Sequence, residues 1–515
     1  MDRIANHIIT YKKRIVISFF VITIISAIAQ FFVTVNYNMA DYLPSDAPST
    51  IAMNVMEEEF DGTVPNARVL INNVSVQEAL RYKENLEAID GVSDVMWLDD
   101  VIDLKVPLEI IEQDLIESYY LNENALLSLS IREGDEVRIT NEIYDLIGED
   151  NAIEGEAVDT AFSQQMTGSE SLYAAMLLVP MIILILVIST NSWVEPVFFL
   201  TAIGVSVLIN LGTNLFIGEV SFITQSVSPI LQLAVSLDYA IFLLHRFSDY
   251  REQNYRPEEA MKLAIKKAFP AIAASAATTF FGFMALTLMS FEIGADLGLN
   301  LLKGIVLSFI SVIVFLPALT LCFYKWIDKT EHKPLIRPFR NIGSNVLKGR
   351  IPVLIIVLVM IVPAFLAQNN TVFTYGLGEQ PETTRVGSDS REIKETFGEL
   401  TQMVLLTPGS EIVKEVELIQ ELKQLNEIKS VIAYSEAVSS VIPPEYLDES
   451  ITDEFFSENY SRIIINKETA AEGDVAFAVV EAVQEKASEY YGDDILLLGE
   501  SVTLYDMKTL HHKTT

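Results

Sequence analysis

Asp238 and Tyr239 sit in "LAVSLDYAIFLLHRF" (233–247), an apolar run with no other acidic residue and Arg246 eight positions after the aspartate. An unpaired carboxylate in hydrocarbon either costs several kcal/mol or takes up a proton. A carboxyl group that gains and loses a proton at that depth can tie proton movement to a rearrangement of helices. Tyr239 can add a hydroxyl to an interhelical hydrogen bond. The plainer reading is an Asp that snorkels to the helix end. That end lies about 12 Å away at 1.5 Å per residue, too far for so short a stem. Ser275, Thr278 and Thr279, in "SAATTFFGFMALTLMSF" (275–291), are candidates to support the relay from a second helix. Hydroxyls in helices also bond to their own backbone. His245, beside Arg246, reads as a headgroup-facing residue. Lys303 reads as a snorkelling lysine whose depth does not match Asp238.

Other chemistry is not indicated. The five histidines have no metal-ligand spacing, there is no phosphate-binding loop, and the only cysteine, Cys322, rules out a disulfide framework. No catalytic residues, no cofactor and no metal are expected, and the acidic balance argues against nucleic acid.

The elements that must position Asp238 are membrane spans. Half the residues are hydrophobic and the mean hydropathy is +0.33, yet the net charge is −35. The two properties occupy different stretches. Apolar segments of spanning length lie near 15–35, 172–190, 194–217, 222–245, 270–290, 298–324 and 351–368. Residues 36–170 hold 30 acidic against 6 basic side chains, and residues 369–515 hold 28 against 11. "YKKR" at 11–14 resembles the start of a signal peptide, but the apolar run continues through "FFVTV" to residue 35, which favours an uncleaved anchor. Basic residues cluster at 12–14, 246–269 and 325–350, and seven alternating spans place all three on one face. By the positive-inside rule that face is cytoplasmic and both acidic regions lie outside the cell membrane. The expected layout is a cytoplasmic N-terminus (1–14), a first span (15–35), an outer domain (36–170), a bundle of spans two to six (171–324), a cytoplasmic linker (325–350), a seventh span (351–368) and a second outer domain (369–515).

Both outer regions read β-α-β-β-α-β, the split βαβ or ferredoxin-like pattern. In the first, strands are expected at 67–73, 92–98, 126–132 and 152–158, with helices at 75–89 and 135–147. In the second, strands are expected at 401–407, 429–435, 462–466 and 494–500, with helices at 411–428 and 474–491. Landmarks recur at a near-constant offset: Arg14 and Arg350, Phe60-Asp61-Gly62 and Phe397-Gly398-Glu399, Gly155-Glu156 and Gly499-Glu500. The fold class expected is an α-helical membrane protein with an internal repeat and two extracytoplasmic α+β domains.

One span, a ferredoxin-like domain, five spans with a polar fourth helix, and a second copy beginning: this order resembles the resistance–nodulation–division (RND) superfamily. "SLDYAIFLLHRF" resembles the Asp-Tyr signature of its MMPL branch, with Ser236 where a glycine is common. "SAATTFFGFMALTLMSF" and "LGLNLLKGIVLSFISVIVFLPALTL" (297–321) resemble that branch's fifth and sixth spans. The resemblance implies a transporter, not an enzyme, driven by the proton motive force, that exports a lipid or other hydrophobic molecule, with Asp238 and Tyr239 as proton relay. A sterol-sensing-type lipid receptor and a protein-secretion accessory stay open as alternatives. Partners expected are membrane lipids, protons and the cargo. Family transporters set a matching carboxylate from a second bundle beside the first, and "SVTLYDMKTLHHKTT" follows Glu500 where an eighth span is expected. The resemblance therefore leads us to expect a partial copy, from a frameshifted gene, from a split gene whose second half is encoded separately, or as a genuine half-size receptor, with that second half or a homo-oligomer as partner.

Overall fold

The structure is a computed structural model. It describes the whole chain except residues 1, 61–64, 103–112, 290, 333–341, 369–373, 377, 379, 410, 437–445, 447–451 and 515. Asp61 and Gly62, two of the repeat landmarks, fall outside the described residues.

Along the chain come α1 (Asp2–Thr10), α2 (Lys12–Ala29) and β1 (Thr34–Asn36), then α3 (Pro48–Glu59), β2 (Ala67–Ile71), α4 (Val76–Glu87), β3 (Val92–Met96), β4 (Asn124–Ile131), α5 (Glu136–Ile147) and β5 (Ala152–Glu154). Long helices follow: α6 (Glu156–Ser189), α7 (Glu195–Gly212), then β6 (Glu219–Ser221), α8 (Phe222–Glu252), α9 (Pro257–Leu286), α10 (Glu292–Ile310), α11 (Leu316–Lys329) and α12 (Ile342–Gln368). The last stretch holds α13 (Arg385–Phe397), β7 (Thr401–Pro408), α14 (Ile412–Leu422), β8 (Ile428–Ile432), β9 (Tyr460–Lys467), α15 (Asp474–Tyr491), β10 (Leu496–Leu498) and α16 (Glu500–Thr514). The chain divides into two compact units, Met1–Asn36 with Thr167–Phe373 and Tyr37–Met166 with Thr374–Thr515.

The first unit is a helix bundle. Six helical stretches among the described residues are long and apolar enough to cross a membrane: Lys12–Phe32, Glu195–Phe216, Phe222–Glu252, Pro257–Leu286, Glu292–Lys329 and Val346–Gln368. The expected second segment, 172–190, corresponds to a shorter apolar stretch, Met176–Ser189, at the end of α6. The apolar core is built from α7, α8, α9, α10 and α11, with Phe199, Phe247, Phe315, Leu243 and Ile265 fully enclosed. A π-turn at Ser311–Phe315 joins α10 to α11, and the Ser311 hydroxyl there donates to the Ala202 carbonyl at 2.7 Å. Apolar residues 351–366 of α12 are exposed throughout, so that helix buries nothing against the described bundle. β1 pairs in parallel with β6, Val35 opposite Val220, and ties the end of the first span to the start of α8.

The second unit contains two sheets of matching strand order. The first runs β3-β4-β2-β5 and the second β8-β9-β7-β10, all neighbours antiparallel. The central strands are buried on both faces: in β9, Ile463 and Ile465 join one apolar core and Ile464 the other. The copies exchange a helix: α3 packs on β10 of the second, and α13 packs on β5 of the first. The exchange is held by buried carboxylates at its two ends. Asp506 accepts from the Ser49 amide at 2.7 Å, and Asp389 accepts from the Ile153 amide at 3.2 Å. The sharpest mark of the repeat is the turn into α6 and α16. Gly155 and Gly499 have φ +126° and +125°, and a Cβ would come within 2.4 Å of the Asn66 carbonyl oxygen and 2.8 Å of the Gln402 carbonyl oxygen. Only glycine takes that conformation against a facing backbone, so the Gly-Glu pair recurs because the same turn recurs.

Candidate functional site

Two places in the bundle bear on function: the surface around Asp238 and a buried polar cluster. Asp238 is exposed on the outer surface of α8, in a stripe with Val227, Ala234, Phe242 and His245. It makes no hydrogen bond or ion pair with the described residues. Tyr239 is turned about 100° round the same helix, onto the inner side; it is 2 % exposed and packed in the apolar core. The expected interhelical hydrogen bond of Tyr239 is not made, and its hydroxyl is buried without a partner among the described residues. The two relay candidates therefore do not form a contiguous pair facing one way.

The supporting hydroxyls behave as helix hydroxyls commonly do. Thr278 donates to the Ala274 carbonyl at 3.0 Å and Thr279 to the Ser275 carbonyl at 3.1 Å. With exposed Ser275 and Thr278 goes a face of small residues on α9: Ala271, Ala274, Gly282 and Ala285. Nothing lies within 4 Å of a Cβ placed on Gly282. That face, on the helix packed beside α8, is open to close approach by another helix.

The second place is a ladder of uncharged polar groups inside the bundle. Three helices each contribute three residues at intervals of four: Ser206, Asn210 and Asn214 from α7 and the turn after it, Ser228, Gln232 and Ser236 from α8, Asn300, Gly304 and Ser308 from α10. None of the eight side chains is more than 1 % exposed. Asn300 donates to Asn214 at 2.7 Å and accepts from Ser228 at 2.7 Å and from Asn210 at 3.0 Å. Asn210 also donates to Gln232 at 3.0 Å. Gln232 in turn donates to the Gly304 carbonyl and the Ser308 hydroxyl, both at 3.1 Å, and Ser236 donates to Ser308 at 2.6 Å. Lys303 caps one end with its ammonium on the Asn214 side-chain oxygen. An ammonium only donates and a backbone carbonyl only accepts, so Lys303 and Gly304 together fix which way each amide between them points. Lys303 is thus not the outward-snorkelling lysine expected; the amide oxygen holds its head group.

In the second unit a cavity of about 570 Å³ opens between the two repeats. Met53, Met56, Val92, Ile131 and Leu400 form an apolar part of its lining, and Arg68, Glu133, Glu136, Glu156 and Glu500 a charged part. The repeat-related Glu156 and Glu500 begin α6 and α16. Both carboxyl side chains are exposed on the cavity, whose walls still strip water from them. That enclosure pushes the Glu156 carboxyl well above the usual range, and the charge of Glu500 adds to it. Glu500 is raised by enclosure too, against the pull of Lys467 and Arg68. Asp159, one turn along α6, is pushed up to about 7 by burial first and by Glu500 second. Arg68 is spoken for by its ion pair with Glu154, whose other oxygen accepts from Ser390 at 2.9 Å.

Comparison with known proteins places the bundle. Residues 139–350 match the model of the MMPL family. That stretch is similar to the MMPL family. It includes α6 to α11, with Asp238, the small-residue face of α9 and the whole ladder. ActII-3 of Streptomyces coelicolor is 27% identical over 178 residues, 34% of this chain and 25% of that protein. The probable transport protein MmpL12 of Mycobacterium tuberculosis is 26% identical over 168 residues, 32% of this chain and 14% of that protein. The sulfolipid-1 exporter MmpL8 of the same species is 28% identical over 143 residues, 27% of this chain and 13% of that protein. The chain thus spans at most a quarter of the length of these relatives.

Neither the ladder nor the cavity was anticipated from the sequence. A signal for the ladder was present: one polar or small residue every four positions in three otherwise apolar spans. The cavity had a weaker one, the Gly-Glu pair repeated 344 residues apart.

The raised carboxyls give the second unit a pH dependence. A carboxyl whose folded value lies above its unfolded one binds protons more tightly when folded. Its contribution is favourable in acid and is lost as pH rises through the folded value. For Asp159 that window runs from about 4 to about 7. Denaturant unfolding should show stability falling across it, and Asp159→Asn should raise stability at pH 8 by about 1–2 kcal/mol with little change at pH 4. A flat difference between the two proteins would contradict the assignment.

Proposed function

We propose that this chain is part of a proton-driven MMPL-type exporter of a lipid or other hydrophobic molecule, with Asp238 as the residue that takes up and releases the proton. The observation that carries this is the exposure of an unpartnered carboxylate on an apolar helix face inside a membrane. In hydrocarbon such a group must be protonated or must meet a partner. The open small-residue face on neighbouring α9 supplies the surface for one. We read it as the docking face of a second helix bundle, provided by a separately encoded half or by a second copy of this chain. A carboxyl in that seam alternates between a protonated form suited to apolar contact and an ionised form that demands a polar partner. The difference between the two is what would drive the rearrangement.

The reading places the basic end of the bundle in the cytoplasm and both ferredoxin-like halves of the second unit outside. The cavity between those halves would hold the cargo, its apolar lining taking hydrocarbon and its carboxylates facing the polar head. Its volume lies within the range of ordinary ligand sites. The relatives named as transporters, one of them a sulfolipid exporter, support lipid as the cargo class.

In the protein expressed with its second half or as its native oligomer, Asp238→Asn should abolish proton-coupled export while expression stays normal. Amide and acid have the same shape but only the acid titrates. Tyr239→Phe should be far milder and leave stability nearly unchanged, because its hydroxyl has no partner to lose among the described residues. Export by Asp238→Asn at the normal rate would sink the relay. A reporter fused after Glu421 should be extracellular and one after Arg251 cytoplasmic; the reverse pattern would remove the transporter reading altogether.

A further inference from the structure

We propose that the ladder inside the bundle is a hydrated path, in which water molecules enter at the Lys303–Asn214 end and reach Ser236, the inner side of the helix that carries Asp238. It stands beside the reading of Asp238 as a proton carrier: the path ends on the inner side of α8, and Asp238 faces out from the same helix. Its footing is a mismatch in the ladder's own hydrogen bonding. Asn210 keeps one bare acceptor, its side-chain oxygen, and Asn214 one bare donor, its side-chain nitrogen, and both residues are at most 1 % exposed. They lie four residues apart, at the end of α7 and in the turn after it. Water can donate to the one and accept from the other. Their orientation cannot be relieved by turning the amides over, because the Lys303 ammonium and the Gly304 carbonyl pin the chain at both ends. A third bare group, the Tyr239 hydroxyl, lies three residues beyond Ser236. So unsatisfied polar atoms occur at the Lys303 end of the ladder, and polar side chains line the interval from there to Ser236.

The path is narrow. A Cβ at Gly304 would come to 3.0 Å from the Asn210 side-chain nitrogen and 3.1 Å from the Gln232 amide carbon and oxygen. The packing at Gly304 is therefore tight, and a methyl group at 304 would tighten it further. Dry core of the same bundle lies alongside: Ala240 and Ala318 are fully buried among apolar side chains.

The chain's single cysteine makes a direct test simple. In a Cys322→Ala background, Ser228→Cys, Ser308→Cys and Ser236→Cys each exchange one oxygen for sulfur. Ala240→Cys and Ala318→Cys serve as dry controls. Methyl methanethiosulfonate, small and neutral, is added to membranes holding the intact protein, and the labelling rate is read by mass spectrometry. The thiolate is the reacting form and needs water around it. We expect all three ladder positions to react about ten-fold or more faster than the controls. Adding Gly304→Ala should slow labelling at 236 and 308 and spare 228. Ladder positions as unreactive as the controls would overturn the proposal, and so would reaction at 228 alone. Labelling does not depend on transport. A dry ladder in a protein that still needs Asp238 would refute the route alone, and a wet ladder in a protein indifferent to Asp238→Asn would refute the carrier alone.

Discussion

A polar group inside an apolar bundle must find a partner, and the first unit meets that demand in two different ways. Asn210, Asn214, Gln232 and Asn300 meet it internally, each amide held by the next, with Lys303 and Gly304 fixing the direction. Asp238 does not meet it internally. Its side chain points away from the ladder, from a helix whose inner face is already committed to Ser236 and Tyr239. A structural carboxylate would be expected among the amides, where donors are plentiful. Placing it on the open side leaves proton binding or an external partner as the remaining ways to make its burial tolerable, and either one makes it responsive to what lies outside the bundle.

The same logic in a wetter setting explains the cavity of the second unit. Duplicated halves bring duplicated features together, so one Gly-Glu turn becomes two glutamates at one cavity. Burial first, and the charge of Glu500 second, make Glu156 and Asp159 reluctant to ionise. The exchanged helices α3 and α13 bind each half to the other's edge strand, so a change of charge at the cavity acts on both halves at once.

Much of this was legible in the sequence because it follows from periodicity. The expected helix at 474–491 is Asp474–Tyr491, and that at 135–147 is Glu136–Ile147. Strands expected at 67–73 and 401–407 are Ala67–Ile71 and Thr401–Pro408. Apolar spans announce themselves by composition, and a lone Asp in one of them draws attention at once. What the sequence did not yield is direction. Nothing in "SLDYAIF" says which of two adjacent side chains faces the core, and Tyr239 was credited with a bond it does not make. Nor were the exchanged helices legible, since both copies have the same pattern and either edge strand could receive either helix. The ladder was missed for another reason: Asn, Gln and Ser in a span look individually like tolerated exceptions. Only the shared interval of four, on three helices at once, marks them as one structure.

The central claim is that Asp238 changes its proton occupancy as the bundle works. Infrared difference spectroscopy on the assembled protein in membranes, between proton-loaded and proton-depleted conditions, reads that directly. The account predicts a protonated-carboxyl stretching band that appears and disappears with the proton gradient and is missing in Asp238→Asn. A band that persists unchanged in Asp238→Asn, or no carboxyl band that responds to the gradient, would contradict it.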